Sequence, residues 1–419
     1  MSKESNIEKT CLPDGWEIKS LGHVCGFQNG FAFKSNTYKD DGVAVVRITN
    51  IQDESINLSK LVYIDPNDYD KSLSKYEITK GDLLIAMSGA TTGKIGIHKT
   101  EEILLLNQRV GKFKPSDILN KAYLLNFLKT KVEESLAISA GAAQPNLSTE
   151  QIKSFQIPLP PLPQQKQIVA ILDKAFAAID TAKANAEQNL KNAKELFKSY
   201  LQNVFENKGD DWEDSILGKV CGFQNGFAFK SKDSVDSSNT QVVRMGNLYQ
   251  NKLNLERKPA FYSDSLVIEL GKYLLKENDL IISLTGTTGK EDYGYTVKIP
   301  EVERNLFLNQ RIAKFIIKDE KALARDFLFR FLLSRVFLDE LFKTAKGTRQ
   351  ANLSTEIMKS LPISYPTMKE QKLIIQKLDS LSAETKKLEA IYTQKIADLE
   401  EMKKSVLQKA FSGQLNTVT

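Results

Sequence analysis

Residues 168–205 read IVAILDKAFAAIDTAKANAEQNLKNAKELFKSYLQNVF, and residues 374–411 read IIQKLDSLSAETKKLEAIYTQKIADLEEMKKSVLQKAF. In both runs apolar or small side chains recur at steps of three and four residues, which places them on one stripe of an α-helix. The two runs have equal length, with no insertion or deletion relative to each other. At 1.5 Å per residue each predicted helix would be about 57 Å long. A polar helix of that length with one apolar stripe needs something to pack against.

The two helices could pack together through their apolar stripes. An antiparallel coiled coil would give the chain a pseudo-twofold axis with a globular domain at each end. The alternative is that each helix packs separately on its own domain, and the residues alone leave both arrangements open. The stripe positions that we assign to helix pairing and partner docking are Ile168, Leu172, Ile179, Leu190, Phe197, Ile374, Leu378, Leu388, Ile396 and Val406.

The rest of the chain also contains two copies of one sequence unit. The twelve residues VCGFQNGFAFKS occupy positions 24–35 and recur unchanged at 220–231. Further blocks repeat in the same order, which identifies a tandem duplication. These blocks are GDLLI at 81–85 against NDLII at 278–282, TTGK at 91–94 and 287–290, LNQR at 106–109 and 308–311, and NLSTE at 146–150 and 352–356.

Each copy predicts a mixed α+β domain. Short apolar runs bounded by Gly, Asp and Asn are typical of strands, and we expect strands at Val43–Ile48, Asp82–Met87 and Ile103–Phe113. Apolar residues at helical spacing predict one helix over Tyr123–Leu136 and its counterpart over Leu323–Val336. The predicted fold class is therefore α+β, with two tandem globular domains joined by two long helices. The predicted bounds are 1–160 for the first globular domain, 161–208 for the central helix, 209–366 for the second globular domain, 367–412 for the C-terminal helix and 413–419 for a tail.

Composition narrows the function class only slightly. The chain has 419 residues, a net charge of +6 and a pI near 8.8, which permits a polyanionic partner without establishing one. No run of 18 apolar residues occurs and residues 1–10 lack the hydrophobic core of a signal peptide, so we expect no membrane association and a cytoplasmic location. The three cysteines have no metal-ligand spacing, so we expect no metal site.

Catalytic motifs are missing from the sequence. GATTGK at 89–94 is similar to a P-loop, but three residues instead of four separate its glycines and isoleucine follows the lysine. His23 is replaced by Lys219 in the other copy, which argues against a catalytic imidazole in a protein whose halves do the same work. We predict no catalytic residue and no cofactor in this chain.

The repeated blocks instead carry side chains suited to DNA. Arg and Lys can reach guanine edges or phosphates, Asn and Gln can pair with adenine, and Thr-Thr-Gly turns can offer N–H groups to a phosphate. For any single residue, a surface turn or a core position is the alternative. The residues predicted to contact DNA are Lys34, Arg47, Thr91, Thr92, Lys94, Gln108, Arg109, Lys230, Arg244, Thr287, Thr288, Lys290, Gln310, Arg311 and Arg349. If the copies read different sequences, specificity should come from segments that differ, such as 52–80 against 249–277.

The order of the blocks resembles the DNA specificity (S) subunit of Type I restriction-modification systems over nearly the whole chain. The resemblance rests on GFAFKS at 30–35, the GDLLI strand, the Gln-x-Asn-Leu-Ser loop, the Pro-x-Pro entry to a long helix and the Leu-Gln-x-x-Phe at its end. It implies two target recognition domains, each reading one half of a bipartite site in double-stranded DNA. It also implies that an antiparallel coiled coil sets the half-site separation and docks two modification subunits.

The resemblance assigns the chemistry to partners. Modification subunits would methylate adenine with S-adenosylmethionine, and restriction subunits, where present, would use ATP and Mg. The close similarity of the two copies favours half-sites that share bases. Three other interpretations stay open: a DNA-binding adaptor of another defence complex, a stand-alone enzyme, and a coiled-coil scaffold that never touches nucleic acid.

Overall fold

The computed structural model describes residues 12–52, 54–69, 71–139, 146–287, 289–344 and 350–415. The described residues form two compact units. Unit 1 comprises those of residues 1–186 and 394–419, and unit 2 comprises those of residues 187–393.

Both units mix short strands with helices. The strands of unit 1 are β1 Glu17–Ser20, β2 Cys25–Asn29, β3 Val43–Val46, β4 Ile51–Gln52, β5 Glu54–Ile56, β6 Val62–Ile64, β7 Glu77–Ile78, β8 Leu83–Ala86, β9 Ile95–Ile97, β10 Leu104–Leu106, β11 Val110–Pro115 and β12 Gln156–Leu159. The strands of unit 2 are β13 Glu213–Ile216, β14 Cys221–Asn225, β15 Thr240–Val243, β16 Leu248–Tyr249, β17 Lys252–Leu253, β18 Leu274–Leu275, β19 Leu280–Ser283, β20 Thr285–Thr287, β21 Thr296–Lys298, β22 Asn305–Leu308, β23 Ile312–Ile317, β24 Gln350–Asn352 and β25 Pro362–Tyr365. The helices are α1 Leu21–Val24, α2 Lys121–Thr130, α3 Val132–Ser139, α4 Thr149–Ser154, α5 Leu162–Glu206, α6 Leu217–Val220, α7 Leu266–Glu269, α8 Arg325–Leu332, α9 Arg335–Thr344, α10 Thr355–Met358 and α11 Met368–Phe411.

The two units share one sheet plan. In unit 1 a six-stranded sheet has the order β2-β11-β8-β9-β5-β4 and a four-stranded sheet has the order β6-β3-β10-β7, with β3 and β10 parallel. In unit 2 the corresponding sheets are β14-β23-β19-β21 and β15-β22-β18, with β15 and β22 parallel. A two-stranded antiparallel ribbon, β1 with β12 or β13 with β25, joins the start of each unit to the strand before its long helix.

Strand β8 explains why the GDLLI block is apolar at successive positions. Leu83 and Ile85 face a core shared with the helices, whereas Leu84 and Ala86 face a second core shared with the four-stranded sheet. Because successive side chains of a strand point to opposite faces, a strand between two cores must be apolar on both. β19 does the same in unit 2, with Leu280 and Ile282 in one core and Ile281 in the other.

A buried glutamine holds the start of each long helix. The Gln165 amide accepts from the backbone N–H of Asn120 (2.8 Å) and donates to the carbonyls of Ile118 and Pro160 (2.9 and 2.8 Å). Gln371 makes the corresponding three bonds in unit 2, each 2.8 Å long, to Ala324, Ala322 and Pro366. Both amides are fully buried and paired, so each helix start is fixed to its unit at low cost.

The far end of each long helix contributes a phenylalanine to a core. Phe411, near the end of α11, lies in unit 1 with its ring 5.0 Å from that of Tyr123. Phe205, near the end of α5, lies in unit 2 with its ring 5.4 Å from that of Phe327. Each long helix therefore starts in one unit and ends in the core of the other. The stripe residues Ile168 and Leu378, near the starts of the two helices, are buried.

The predicted strand over Ile103–Phe113 is wrong as a single element. It is two strands, β10 and β11, which belong to different sheets and are separated by a turn. The turn is closed by Asn107, whose carbonyl accepts from the N–H of Val110 (2.8 Å). The strand predicted at Val43–Ile48 likewise ends at Val46, where a turn of 3-10 helix follows.

The predicted helices over Tyr123–Leu136 and Leu323–Val336 are each two helices. Apolar spacing continues across the break, so periodicity alone does not reveal it. In unit 2 the break is at Ser334, whose hydroxyl donates to the carbonyl of Phe331 (2.7 Å) and lies 3.4 Å from the N–H of Phe337. A serine at this position caps the start of the next helix.

We predict that Gly30→Ala destabilises unit 1. A Cβ at this position would lie 2.2 Å from the carbonyl oxygen of Asn107, which is closer than two non-bonded heavy atoms of this kind can approach. Relieving this clash should cost about 2–3 kcal/mol of unfolding free energy, measured by chemical denaturation. Gly271→Ala, where nothing lies within 4 Å of the new methyl group, is the matched control. Equal stability of the two variants would contradict the close approach.

We also predict that Cys25 and Cys221 do not react with thiol reagents in the folded protein. Both side chains are buried, and burial raises the pKa of Cys25 to about 11 and that of Cys221 to about 12. Because the thiolate is the reactive form, little of either is available at pH 8. In a Cys11→Ser background, a chromogenic thiol reagent should count no thiols before denaturation and two after it. Fast labelling of the native protein would refute the burial.

Candidate nucleic-acid interface

Four blocks of the repeat meet through backbone hydrogen bonds. The turn after β10 lies against the FAF stretch on one side and the end of β8 on the other, and the Asn-Leu-Ser loop joins β8 beyond it. The bonds are Phe31 N–H to Leu106 O (2.8 Å), Gln108 N–H to Phe31 O (2.8 Å), Met87 N–H to Arg109 O (2.9 Å) and Leu147 N–H to Met87 O (2.7 Å). Unit 2 repeats all four, with lengths of 2.8–2.9 Å, at Phe227–Leu308, Gln310–Phe227, Leu284–Arg311 and Leu353–Leu284.

These contacts form a cleft in unit 1. It has a volume of about 880 Å³ and is lined by Asn29, Met87–Gly89, Gln108–Arg109 and Asn146–Thr149. Gln108 and Arg109 are exposed at the tip of their turn. The hydroxyl of Thr149 donates to the side-chain oxygen of Asn29 (3.0 Å), which ties two of the blocks across the cleft. Most of the lining side chains are polar, and none of those in the described residues is a carboxylate.

Three polar side-chain atoms of unit 1 are buried without a hydrogen-bond partner among the described residues, and one of them belongs to Ser88 of the cleft lining. They are Nε of Arg47, Oγ of Ser88 and Oγ1 of Thr91. Buried polar groups without a partner are uncommon, and they cluster where a ligand or water completes a site. In unit 2 the residue equivalent to Ser88 is Thr285, whose hydroxyl lies 2.8 Å from the sulfur of Met245. The orphaned hydroxyl is therefore a feature of unit 1.

Unit 2 has a cleft at a different place in the repeat, and the two linings share only the equivalent arginines Arg109 and Arg311. Its volume is about 460 Å³, and its lining is Phe229, Ser231, Arg244–Asn247, Arg257, Lys258, Asn309 and Arg311. Arg244 and Arg311, both predicted DNA contacts, meet here with Arg257 and Lys258 from the variable segment. Among the residues that the structure describes, no acidic side chain lines this cleft, so it presents concentrated positive charge to an anion.

A buried asparagine ties each variable segment to the framework, and sequence reasoning missed it. Asn50 accepts from the N–H of Arg47 (2.9 Å) and donates to the carbonyls of Asn57 and Lys60 (3.2 and 3.1 Å). Asn247 makes the same bonds to Arg244, Asn254 and Arg257, with lengths of 2.8, 2.9 and 2.9 Å. The repeated Arg-x-x-Asn spacing, at 47–50 and 244–247, was the available signal.

Other predicted contact residues lie outside the two clefts. Lys34 and Lys230 are exposed at the end of the FAFKS stretch. The hydroxyl of Tyr262 donates to the carbonyl of Lys230 (3.3 Å), and burial raises the pKa of Tyr262, which keeps this donor protonated. Lys94 lines a separate cleft of about 440 Å³ that also includes Lys129 and Lys403.

Threonines of the Thr-Thr-Gly turns form hydrogen bonds within their own loops. Thr92 is fully buried and donates to the carbonyl of Gly89 (2.7 Å), so its side chain supports the turn and does not face a ligand. Thr287 donates to Asp292 through its N–H (2.6 Å) and its hydroxyl (2.7 Å), while Lys290 is exposed. Gln310 is exposed on the turn before Arg311. Thr288 and Arg349 lie outside the described residues.

Most of the helix positions assigned to partner docking are buried or half-buried. Ile168, Leu172, Ile179 and Leu378 are buried inside the units. Of the others, Leu388 is exposed, and Leu190, Phe197, Ile374, Ile396 and Val406 are half-buried. Besides Leu388, the apolar side chains that the long helices show to solvent include Leu196, Leu373, Ile391 and Met402, which are 48%, 49%, 48% and 51% exposed.

The described residues show neither a metal cluster nor a membrane-spanning helix. No cluster of three or more histidine, cysteine, aspartate or glutamate side chains there is arranged to hold a metal ion. None of the helices described combines the length and the apolar character needed to cross a membrane.

Comparison with known proteins gives a consistent result. Residues 13–192 and again 209–400 match the Type I restriction modification DNA specificity domain. The specificity subunit of the Type I restriction enzyme MjaVIII from Methanocaldococcus jannaschii is 25% identical over 446 residues, which cover 99% of this chain and 96% of that protein. The EcoBI specificity subunit from Escherichia coli is 23% identical, over 96% of this chain and 87% of that protein.

Solved structures show the same fold. A chain from work on complex assembly and conformational transition of the type I R-M system superposes with a TM-score of 0.74 at 19% identity, covering 96% of this chain and 99% of that one. The HsdS subunit from Thermoanaerobacter tengcongensis gives a TM-score of 0.63 at 18% identity, over 96% and 98% of the two chains. With two matched domains and relatives aligned over almost their whole length, the chain belongs to the family of Type I restriction-modification DNA specificity subunits.

Proposed function

We propose that each unit of this specificity subunit reads one half of a bipartite site in double-stranded DNA, within a cytoplasmic Type I restriction-modification complex. The observation that carries the proposal is the double match to the DNA specificity domain, one match centred on each unit. Two domains of one kind in one chain suit a target with two parts.

The clefts support DNA as the ligand. Arg and Gln on an exposed turn can reach base edges, and hydroxyl and amide groups beside them can bind phosphate oxygens. Gln108 and Arg109 occupy such a turn in unit 1, as do Gln310 and Arg311 in unit 2. Over the described part of the chain, neither cleft lining includes a carboxylate, which would repel a phosphate backbone.

We propose further that α5 and α11 pair as an antiparallel coiled coil that sets the distance between the half-sites. Within unit 1, Lys183 pairs with Glu400 (2.7 Å) and Asp180 with Lys403 (2.9 Å). Three residues back along α5 thus correspond to three residues forward along α11, which is the pattern of antiparallel helices. Two modification subunits would dock on the outward side chains of these helices.

The chemistry would belong to those partners. The modification subunits would supply S-adenosylmethionine-dependent methylation of adenine, and restriction subunits would supply ATP- and Mg-dependent cleavage. This chain would contribute recognition and positioning only, with no cofactor of its own. The cation-lined clefts support a binding role of this kind.

A methylation map of genomic DNA tests this function. We expect cells that express this chain with the modification subunit of its own system to carry methyladenine in a two-part motif with a fixed gap. Cells that express the modification subunit alone should lack that motif. An Arg311→Ala variant should lower methylation at the motif, because it removes a cation from the exposed turn of unit 2. A map that does not depend on this chain would refute the proposal.

We predict that lengthening both long helices by one turn lengthens the gap in the motif. A four-residue insertion in each helix, after Ala186 and after Thr393, adds about 6 Å, close to the rise of one or two base pairs. An insertion of four residues also preserves the helical phase of a coiled coil better than one of two or five. The methylated motif read from the variant gives the new gap directly.

The control is the same insertion in one helix only. It puts the two helices out of register and should reduce methylation without producing a new defined gap. An unchanged gap in the double-insertion variant, with methylation retained, would contradict the ruler role of the helices.

A further inference from the structure

Arg257 in the cleft of unit 2 is held in a way that its neighbours are not. Its guanidinium lies over the ring of Tyr249, 5.1 Å from the ring centroid, and that ring in turn packs edge-on against Tyr295 at 5.9 Å. Its backbone is fixed as well, because its carbonyl accepts from buried Asn247 and its N–H donates to Asn254 (3.1 Å). An arginine ordered at both ends loses little entropy when it binds.

The guanidinium of Arg257 has its hydrogen-bonding edge free. Within the described residues, no protein acceptor bonds to it and no carboxylate lies in the cleft lining. Arg244 behaves differently, since its guanidinium donates to the carbonyl of Lys258 and is occupied by the protein. Arg244 therefore supports the segment, whereas Arg257 of the variable segment is presented to a ligand, as is Arg311 on its exposed turn.

We infer that Arg257 reads a guanine in the DNA half-site bound by unit 2. The inference rests on the proposed function, and it names one base class for one half-site. A planar fork of N–H donors matches the O6 and N7 acceptors of guanine in the major groove, which no other base presents as a pair. A phosphate can also accept the fork, but its oxygens can be met from many directions by a mobile side chain. Stacking on Tyr249 and anchoring by Asn247 fix the direction of the fork and so favour a base edge.

Unit 1 lacks this device at the equivalent place. Buried Asn50 holds the carbonyl of Lys60 as Asn247 holds that of Arg257, which makes Lys60 the counterpart. A lysine offers a single charge in place of a fork, and the position equivalent to Tyr249 is Gln52, which supplies no aromatic face. The two half-sites therefore differ at this position, although the framework of the two units is the same.

The test compares base preference in the assembled methyltransferase complex. Mapping with Arg257→Gln should show the motif relaxed at one guanine position of one half-site, with methylation of the original motif reduced about 10- to 100-fold and the other half-site unchanged. Lys60→Gln is the matched control: any change it causes should fall in the opposite half-site.

A binding assay separates guanine from phosphate as the partner of Arg257. With 7-deazaguanine at the assigned position, which lacks the N7 acceptor, the wild-type complex should bind several-fold more weakly than to normal DNA. The Arg257→Gln complex should bind the two DNAs equally. This loss of discrimination is expected only if the side chain contacts that base.

Three results would overturn the inference. One is a uniform loss of binding by Arg257→Gln on all sequences, with the salt dependence lowered by about one charge, which indicates a phosphate contact. Another is relaxation at a position that is not guanine. The third is an unchanged motif. A wild-type complex with no bipartite motif at all would instead refute the proposed function, on which the inference depends.

Discussion

The position of each long helix depends on contacts at both of its ends. A buried glutamine, Gln165 or Gln371, satisfies three backbone groups of the unit in which the helix starts. A phenylalanine, Phe205 or Phe411, fills the core of the unit in which the helix ends. The interval from glutamine to phenylalanine is the same in both helices. An insertion in one helix would have to move either a paired amide or a packed ring, both of which are costly.

The same kind of packing and hydrogen-bonding constraint explains why some blocks of the repeat are unchanged and others vary. FAFKS and LNQR bond to each other through their backbones, and LNQR and Asn-Leu-Ser both bond to the residue after β8 or β19. Gly30 and Gly226 leave no room for a side chain beside the next turn. Changing one block disturbs the others. The segments after Arg47 and Arg244 are tied to this framework by backbone pairing and by a buried asparagine that bonds backbone groups, so many of their side chains can vary without loss of these hydrogen bonds.

The sequence predicted the features that follow from local periodicity. The duplication and the long helices were foreseeable because spacing and identity are written in the residues. The break at Asn107 and the cap at Ser334 were missed, since both lie inside uninterrupted apolar patterns. Thr92 looked like part of a phosphate-binding turn, yet burial of its side chain depends on packing that spacing does not reveal. The buried pair of Lys112 with Asp82, at 3.1 Å, required the register of β11 beside β8 to be seen.

Equivalent positions of the two units show how one framework can carry different recognition chemistry. Similar copies favoured half-sites with shared bases, but that reasoning counts identical framework residues that mainly bond to each other. Lys60 and Gln52 of unit 1 stand where unit 2 has Arg257 and Tyr249, whereas the Gln-Arg turn is the same in both. Since hydrogen-bond geometry at base edges distinguishes sequences, and backbone bonds inside the domain do not, divergence at exposed equivalent positions is the better guide. Duplication thus preserves the scaffold while each copy remains free to acquire its own target.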